Sequence, residues 1–340
     1  MTGETFGTSR GGSGSDVGIT SVGPIRPAIR AASTTKLPST SMNRSLREPN
    51  DGALSSTTRT RRRPVRDLGK VADQLSERDW SILRSVAEHR YLTVRQIRVL
   101  HFGDLPPASG LRTTQRVLAR LRQDRILARL TPRIGGYRAG STTTVHYVDE
   151  VGDRLLRRDT GRGGRRRFEP PTQRFLDHQL GIAAARVALV EADQRGELEL
   201  LACEIEPTVW RDYVSLAGGR LTLKPDLYAE TVSPPGSEYL EAAFIEIDMG
   251  TETIPTLVKK CREYEAYRRS GTEQDRSGGY FPLVIWSMNA TRSQDALKRR
   301  AALQKAIDGD RQLAQLRFHV IAPEQFIPLM QKGGKDEANQ

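Results

Sequence analysis

Three acidic residues, Asp226, Glu246 and Asp248, lie on two consecutive predicted β-strands. The first strand is predicted at residues 221–231 and the second at 238–248. Because side chains alternate between the faces of a strand, Glu246 and Asp248 point the same way. If the two strands form a hairpin, the three carboxylates converge, and a divalent cation would relieve their mutual repulsion. Metal-assisted hydrolysis of a phosphodiester requires such a group of carboxylates around a divalent cation.

The sequence predicts an α/β domain at residues 171–332, and this domain would position the acids. Its predicted elements are a helix at 175–192, strands at 197–206, 221–231 and 238–248, a helix at 252–269, a strand at 281–286, a helix at 293–307, a strand at 317–321 and a terminal turn or helix at 324–331. The β-α-β succession after Asp248 and the uninterrupted apolar run FPLVIW predict parallel, buried strands in this part of the sheet.

A separate domain is predicted at residues 70–160. Two helix starts carry capping boxes, Ser76 with Asp79 and Thr93 with Gln96. A third helix at 111–123 follows the loop 103–110 and precedes a hairpin at 126–130 and 142–148 and a closing helix at 149–158. Three helices followed by a hairpin are the order of a winged helix-turn-helix, so the chain is predicted to be α+β, with this module before the α/β domain.

A column of arginines marks the third predicted helix. Arg112, Arg116 and Arg120 are spaced four apart and form one stripe, and the hairpin tip carries Arg133 and Arg138. In a winged helix the third helix enters the major groove and the hairpin lies on phosphate, so these five arginines predict binding to double-stranded DNA. The alternative is an exposed arginine face that solvent ions neutralise.

The charge and composition vary along the chain. The net charge of +12 belongs to the first half, whereas residues 169–340 are mildly acidic. Residues 1–69 are rich in Gly, Ser, Thr, Pro and Arg and are predicted to be a disordered basic tail, whose arginine run at 61–66 either touches phosphate or stays solvated. Residues 161–170 are predicted to be a basic linker, and residues 333–340 a disordered C-terminus.

Several protein classes are excluded by the sequence. The chain has no apolar run of 18 residues and no apolar signal segment, so neither a membrane span nor secretion is expected. Its two cysteines lack CxxC spacing, which is typical of reduced thiols in a cytoplasmic protein. No phosphate-binding loop, HEXXH motif or zinc-spaced Cys/His set occurs, which argues against ATPase and zinc-protease chemistry.

The αβββαβ order, with Pro225-Asp226 on the second strand and Glu246-x-Asp248 on the third, resembles the PD-(D/E)XK nuclease superfamily. The finer pattern is similar to the replication-relaxation family of plasmids and integrative elements. The residues that carry this resemblance are His178, Glu204 or Glu206, Pro225-Asp226, the segment FIEIDMGTET, Lys260 and Tyr264. The resemblance spans residues 75–330 and implies a winged helix, a nuclease-like domain, double-stranded DNA as partner and contacts with other plasmid replication or transfer proteins.

The chain departs from the active nuclease pattern at one position, because Asp248 stands where the superfamily has its lysine. Lys224, two residues before Asp226, or Lys260, on the following helix, could take over that role. The resemblance then implies an Mg²⁺-dependent DNA endonuclease whose metal is held by Asp226, Glu246 and Asp248. If neither lysine takes over that role, the resemblance implies a non-enzymatic DNA-binding regulator or replication accessory. Both alternatives stay open from the sequence.

Overall fold

The computed structural model of the protein describes residues 67–130, 144–161, 169–289, 293–313 and 318–332. The predicted wing residues Arg133 and Arg138, most of the predicted tail and linker, and residues 333–340 lie outside these ranges. The first helix begins at Leu68, inside the range assigned to the tail, because Asp67 accepts a hydrogen bond from the backbone of Lys70 and caps it. We call residues 67–161 the N-terminal lobe and residues 169–332 the C-terminal lobe.

The N-terminal lobe is mostly helical and contains one small sheet. Its elements are α1 (Leu68–Asp73), α2 (Glu77–His89), β1 (Leu92–Thr93), α3 (Val94–Phe102), α4 (Pro107–Gln123), β2 (Leu127–Arg129), β3 (Val145–Val148) and α5 (Glu150–Thr160). The strands β2 and β3 pair antiparallel, which confirms the predicted hairpin strands. The two-residue strand β1 was not predicted, and it pairs with the other side of β3 to give the order β1-β3-β2.

Both predicted capping boxes are confirmed. At the start of α2, the amide of Ser76 donates to Asp79 Oδ2 at 2.9 Å, and the amide of Asp79 donates to Ser76 Oγ at 3.2 Å. At the start of α3, Thr93 and Gln96 exchange the equivalent pair of hydrogen bonds at 2.9 and 3.2 Å. These side chains satisfy amides that would otherwise lack partners in the first turn of each helix.

The start of α4 was predicted too late. The helix begins at Pro107 and not at Leu111, because a proline is well placed in the first turn, where its missing N–H leaves no hydrogen bond unmade. Leu118 and Leu121 are buried in the lobe's core as predicted, whereas Leu111 is 37% exposed. The longer helix therefore presents more of its N-terminal half to solvent than the sequence indicated.

The C-terminal lobe is built around a five-stranded sheet. Its elements are α6 (Gln173–Gln194), β4 (Glu199–Ile205), β5 (Arg211–Val214), β6 (Arg220–Leu223), β7 (Leu227–Val232), β8 (Leu240–Asp248), α7 (Ile254–Arg269), α8 (Thr272–Ser277), β9 (Leu283–Met288), α9 (Ser293–Asp308), β10 (Phe318–Ile321), a 3₁₀ turn (Pro323–Gln325) and α10 (Phe326–Lys332). The order is β10-β9-β8-β7-β4. The strands β8, β9 and β10 are parallel, as the β-α-β pattern predicted, and β7 is antiparallel to both neighbours.

The predicted strand at 221–231 is divided in the structure. Its first part is β6, which pairs with β5 as a separate two-stranded sheet, and its second part is β7. Lys224, Pro225 and Asp226 lie between them. The interruption falls at Pro225, which has no N–H to donate to a neighbouring strand.

The alternation along β8 determines which side of the sheet receives the acids. Ile245 and Ile247 pack towards α6 and α10, in the core cluster that includes Phe326. Phe244 packs on the opposite side, in the cluster formed with α7 and α9. Glu246 and Asp248 follow Phe244 with a period of two, so they share that side.

The helix α6 is in contact with both lobes. Ala183 belongs to the core cluster of the N-terminal lobe, whereas Ile182 belongs to a core cluster of the C-terminal lobe. Gln96 Nε2 donates to the carbonyl of Leu180 at 3.1 Å, and Gln194 Nε2 donates to the carbonyl of Val99 at 3.1 Å. The described residues accordingly fall within one compact unit. Within the described ranges, no helix is long and apolar enough to cross a bilayer.

Candidate active site

The pairing of β7 with β8 brings Asp226 and Glu246 together. The register ends with Leu227 opposite Ile245, so the next positions on the two strands are Asp226 and Glu246. The carboxylate of Asp226 also accepts a hydrogen bond from the backbone amide of Ile247 at 2.8 Å. Asp226 therefore has a fixed position at the end of β7, beside β8.

A cavity of about 270 Å³ opens over these strand ends. Its lining contains the predicted acids Asp226, Glu246 and Asp248 and the candidate lysine Lys260, together with residues of the first turns of α6. The three carboxylates thus face one cavity, as the strand pattern predicted. The three side chains do not, however, form one cluster of ligands: in the described part of the chain, no group of three or more His, Cys, Asp or Glu side chains is placed to hold a metal ion.

Glu246 is buried between two groups from α7. Lys260 Nζ forms an ion pair with Glu246 Oε2, and the hydroxyl of Tyr264 donates to Oε1 at 2.5 Å. Burial raises the pKa of Glu246 to about 8, and repulsion from Asp226 adds to this effect, whereas Lys260 and Tyr264 oppose it. Burial lowers the pKa of Lys260, but attraction to the carboxylates of Glu246 and Asp226 outweighs burial and raises it.

Asp226 has a histidine neighbour from α6. His178 Nε2 lies 3.4 Å from Asp226 Oδ1. Burial raises the pKa of Asp226, but the charge of Lys260 and the contact with His178 outweigh burial and lower it. Burial lowers the pKa of His178, and the carboxylates of Asp226 and Glu206 outweigh burial and raise it. The next residue on α6, Gln179, donates to Glu206 Oε1 at 2.5 Å.

Asp248 has a different partner, which the sequence analysis did not identify. Arg299 of α9 donates to both of its oxygens, from Nε at 2.5 Å and from Nη2 at 2.9 Å. The pair is largely shielded from solvent, since the Asp248 side chain is 2% exposed and the Arg299 side chain 16% exposed. The only signal in the sequence was the basic run Lys298-Arg299-Arg300, which is also typical of a solvated helix face.

Lys224 is not brought to this group. Its ammonium lies 4.7 Å from the ring centroid of Trp210, and it does not line the cavity. Although Lys224 lies only two residues before Asp226, the two do not belong to one continuous strand, because β6 ends at Leu223 and β7 begins at Leu227. Of the two candidate lysines, the structure places Lys260 beside the acids.

The carboxylates can be tested against the ligand preferences of Mg²⁺. This ion is usually bound by one or two carboxylates, several waters and substrate phosphates, and not by a cage made only of protein groups. Asp226 and Glu246 occupy neighbouring positions and repel each other, which is the arrangement that a divalent cation relieves. Asp226 and Glu246 would be the carboxylates that hold Mg²⁺. Their oxygens already have partners in the structure, as those of Asp248 do: His178 and the amide of Ile247 at Asp226, and Lys260 and Tyr264 at Glu246.

The arginines of α4 fall into two groups. Arg112 and Arg116 are exposed and form no ion pair with any other described residue. Arg120 donates to the buried carboxylate of Asp79 on α2 at 2.6 Å, although its own side chain is 44% exposed. Arg120 therefore joins α4 to α2, and the predicted uniform stripe has only two free members among the described residues.

Comparison with known proteins gives one match. The sequence model of a family described as replication-relaxation matches residues 83–284, which includes most of the N-terminal lobe and the C-terminal lobe as far as β9. No curated protein and no solved structure matches the chain.

Proposed function

We propose that this chain, which belongs to the replication-relaxation family, binds double-stranded DNA. We further propose that it hydrolyses a phosphodiester with Mg²⁺ at the cavity over β7 and β8. One observation carries this proposal. Lys260 from α7 contacts Glu246, which stands beside Asp226. Two acids and a lysine in contact restore the charge arrangement that the nuclease pattern requires, although the lysine comes from a different element.

We assign DNA binding to the N-terminal lobe, acting as a winged helix. The support is its order of elements, α2, α3 and α4 followed by the hairpin strands β2 and β3. The helix α4 would lie in the major groove, where Arg112 and Arg116 are free to contact phosphate. The hairpin tip, with Arg133 and Arg138, lies outside the described residues and is assigned to phosphate by the sequence pattern alone.

Each residue of the cavity has a defined part in the proposed reaction. Asp226 and Glu246 would hold the ion, which lowers the pKa of a bound water and screens the phosphate when present. Lys260 carries a positive charge and supports the negative charge that develops on the phosphate. His178 keeps the carboxylate of Asp226 in position. The partner is then plasmid or integrative-element DNA in the cytoplasm, together with other replication or transfer proteins.

A second candidate is a DNA-binding replication accessory without catalysis. Each of the three carboxylates already has a basic partner: His178 for Asp226, Lys260 for Glu246 and Arg299 for Asp248. Such pairing also stabilises a nuclease-like fold that no longer cleaves. This candidate keeps the N-terminal lobe as the DNA-binding part.

Supercoiled plasmid incubated with the full chain and Mg²⁺ separates the two candidates. We expect nicked or linear product, which is abolished by Asp226→Asn, by Glu246→Gln and by a chelator. The matched control is Glu263→Gln, an exposed acid on α7, which should cleave like the unmodified chain. DNA that is shifted on a gel but not cleaved with either Mg²⁺ or Mn²⁺ would favour the accessory and overturn the hydrolysis.

A further inference from the structure

We propose that Arg90 and Arg174, two exposed arginines beside Phe175, bind backbone phosphates of the DNA strand at the mouth of the cavity. The inference rests on the proposed function, because it takes the DNA of that function as its ligand. It adds a contact with DNA that is separate from α4 and that requires neither a metal ion nor cleavage.

The mouth of the cavity is formed by the exposed residues of its lining. On the α6 side these residues are Thr172 and Arg174, and on the α7 side they are Thr251 and Glu252. The three acids of the cavity are buried, and each has a basic partner. The basic charge of the mouth therefore lies on the α6 side and its acidic charge on the α7 side.

Arg90 reaches the α6 side of the mouth from the N-terminal lobe. It follows α2 directly, and its guanidinium carbon lies 5.5 Å from the centroid of the Phe175 ring. Phe175 lines the cavity, and Tyr91 meets the same ring edge-on with the centroids 6.4 Å apart. A guanidinium over an aromatic ring keeps its planar set of N–H groups, which match a phosphate with two parallel hydrogen bonds.

The backbone of Arg90 holds the side chain in this place. Its φ is 65° and its ψ is −42°, and the amide of Tyr91 donates to the carbonyl of His89 at 2.7 Å. This is the rare, strained form of the γ-turn, which a residue other than glycine adopts only where the surrounding structure requires it. Because His89 and Tyr91 are both buried, the turn is anchored at its two ends and leaves Arg90 exposed.

The charge of the two arginines is available to an anion. Arg90 forms no ion pair with any other residue of the described ranges. Arg174 Nη2 lies 3.8 Å from Glu252 Oε1, but their side chains are 60% and 44% exposed, so water screens this pair and a phosphate can replace it. A DNA strand held by both arginines would enter the cavity over Phe175, on the side opposite Glu252.

Binding of the full chain to supercoiled plasmid at several salt concentrations, with a chelator present, tests this inference. We expect Arg90→Gly to reduce the slope of log affinity against log salt by about one unit, because one phosphate contact is lost. Its free energy of unfolding should not fall, since glycine adopts a φ of 65° without strain. Arg174→Gln should also reduce the slope by about one unit. Arg90→Lys should keep the slope, because the charge is retained.

Arg84→Gln is the matched control. Arg84 is an exposed arginine on α2 that lies 5.3 Å from the centroid of the Trp80 ring, but it pairs with Asp159, and these residues do not line the cavity. Its substitution should leave the slope unchanged. Circular dichroism checks folding, and Arg90→Asn, which also tolerates a positive φ, should behave like Arg90→Gly. An unchanged slope in the folded Arg90 or Arg174 variants overturns the inference, and so does an equal loss in Arg84→Gln.

These outcomes are separate from those of the proposed function. If Arg90→Gly loses slope but the unmodified chain does not cleave plasmid, the phosphate contact stands and the hydrolysis falls. If Arg90→Gly loses slope and Arg116→Gln does not, the contact at the mouth stands and the assignment of α4 falls. If the chain cleaves plasmid and Arg90→Gly keeps the slope, the hydrolysis stands and the role of Arg90 falls.

The cleavage kinetics give a second measure of the same contact. Arg90→Gly should raise KM for plasmid and leave kcat unchanged, because a phosphate bound at the mouth is held equally in the ground state and in the transition state. A fall in kcat with unchanged KM would overturn this placement of Arg90.

Discussion

The ammonium of Lys260 and the carboxylate of Glu246 form an ion pair between α7 and β8 in which the carboxylate is almost completely buried. Fourteen residues separate them in the chain. Asp226 stands beside Glu246 and has a basic neighbour of its own, His178. The contacts of these two acids are the basis of the predictions that concern the cavity.

Replacing Lys260 with Met should reduce plasmid cleavage by about 10²–10³-fold, since a group that stabilises charge in the transition state is lost. Lys259→Met, on the same helix but exposed, is the matched control and should cleave normally. Initial rates at saturating Mg²⁺ are the measurement. Full activity in the Lys260 variant would show that another group supports the phosphate.

Tyr264→Phe should lower the free energy of unfolding by about 1–3 kcal/mol, because the buried carboxyl group of Glu246 loses a hydrogen bond. The measurement is urea unfolding at pH 7. Tyr280→Phe, at a partly exposed tyrosine, should change stability far less. Equal effects of the two substitutions would contradict the role of this hydrogen bond.

The stability should depend on pH through Glu246. Its pKa is about 8 in the folded chain and near 4.5 when unfolded, so between these values the folded state binds more protons than the unfolded state. The contribution of Glu246 therefore favours folding at low pH and is lost as the pH rises through about 8. Glu246→Gln should remove this part of the slope in urea unfolding between pH 5 and 8. An unchanged slope would mean that Glu246 titrates normally.

The arginines of α4 should separate into two classes. Arg116→Gln should weaken DNA binding and reduce the slope of log affinity against log salt by about one unit if it contacts one phosphate. Arg120→Gln should in addition lower the free energy of unfolding by about 1–3 kcal/mol, since it leaves the buried Asp79 without its cation. Lys298→Gln, exposed on α9, is the charge-matched control for both measurements. Unaltered affinity in Arg116→Gln would mean that α4 does not face DNA.

The features that could be predicted from the sequence depend on residues close together in the chain. The capping boxes at Ser76 and Thr93 involve residues three apart, and the shared face of Glu246 and Asp248 follows from strand alternation. The parallel strands after Asp248 followed from the β-α-β order. Lys260 and Tyr264 are four residues apart, a spacing that places them on one face of α7, and both contact Glu246.

The features that could not be predicted depend on tertiary contacts. Arg299 meets Asp248 across 51 residues, and Arg120 meets Asp79 across 41 residues, and no local pattern distinguishes either arginine from its exposed neighbours. The break at Pro225 differs from these contacts, because the proline itself was a local signal against a continuous strand, although the segments on both sides of it form strands. The two arginine contacts and the interruption at Pro225 each changed the assignment of a candidate site residue.

The helix α6 has a consequence for where on DNA the protein would act. Ala183 is packed into the core of the N-terminal lobe, and one and a half turns earlier on the same helix His178 touches Asp226. The helix thus connects the N-terminal lobe, which carries the arginines of α4, to the acidic cavity. Under the proposed function, any strand break made there would fall at a constant number of base pairs from the sequence that α4 would bind.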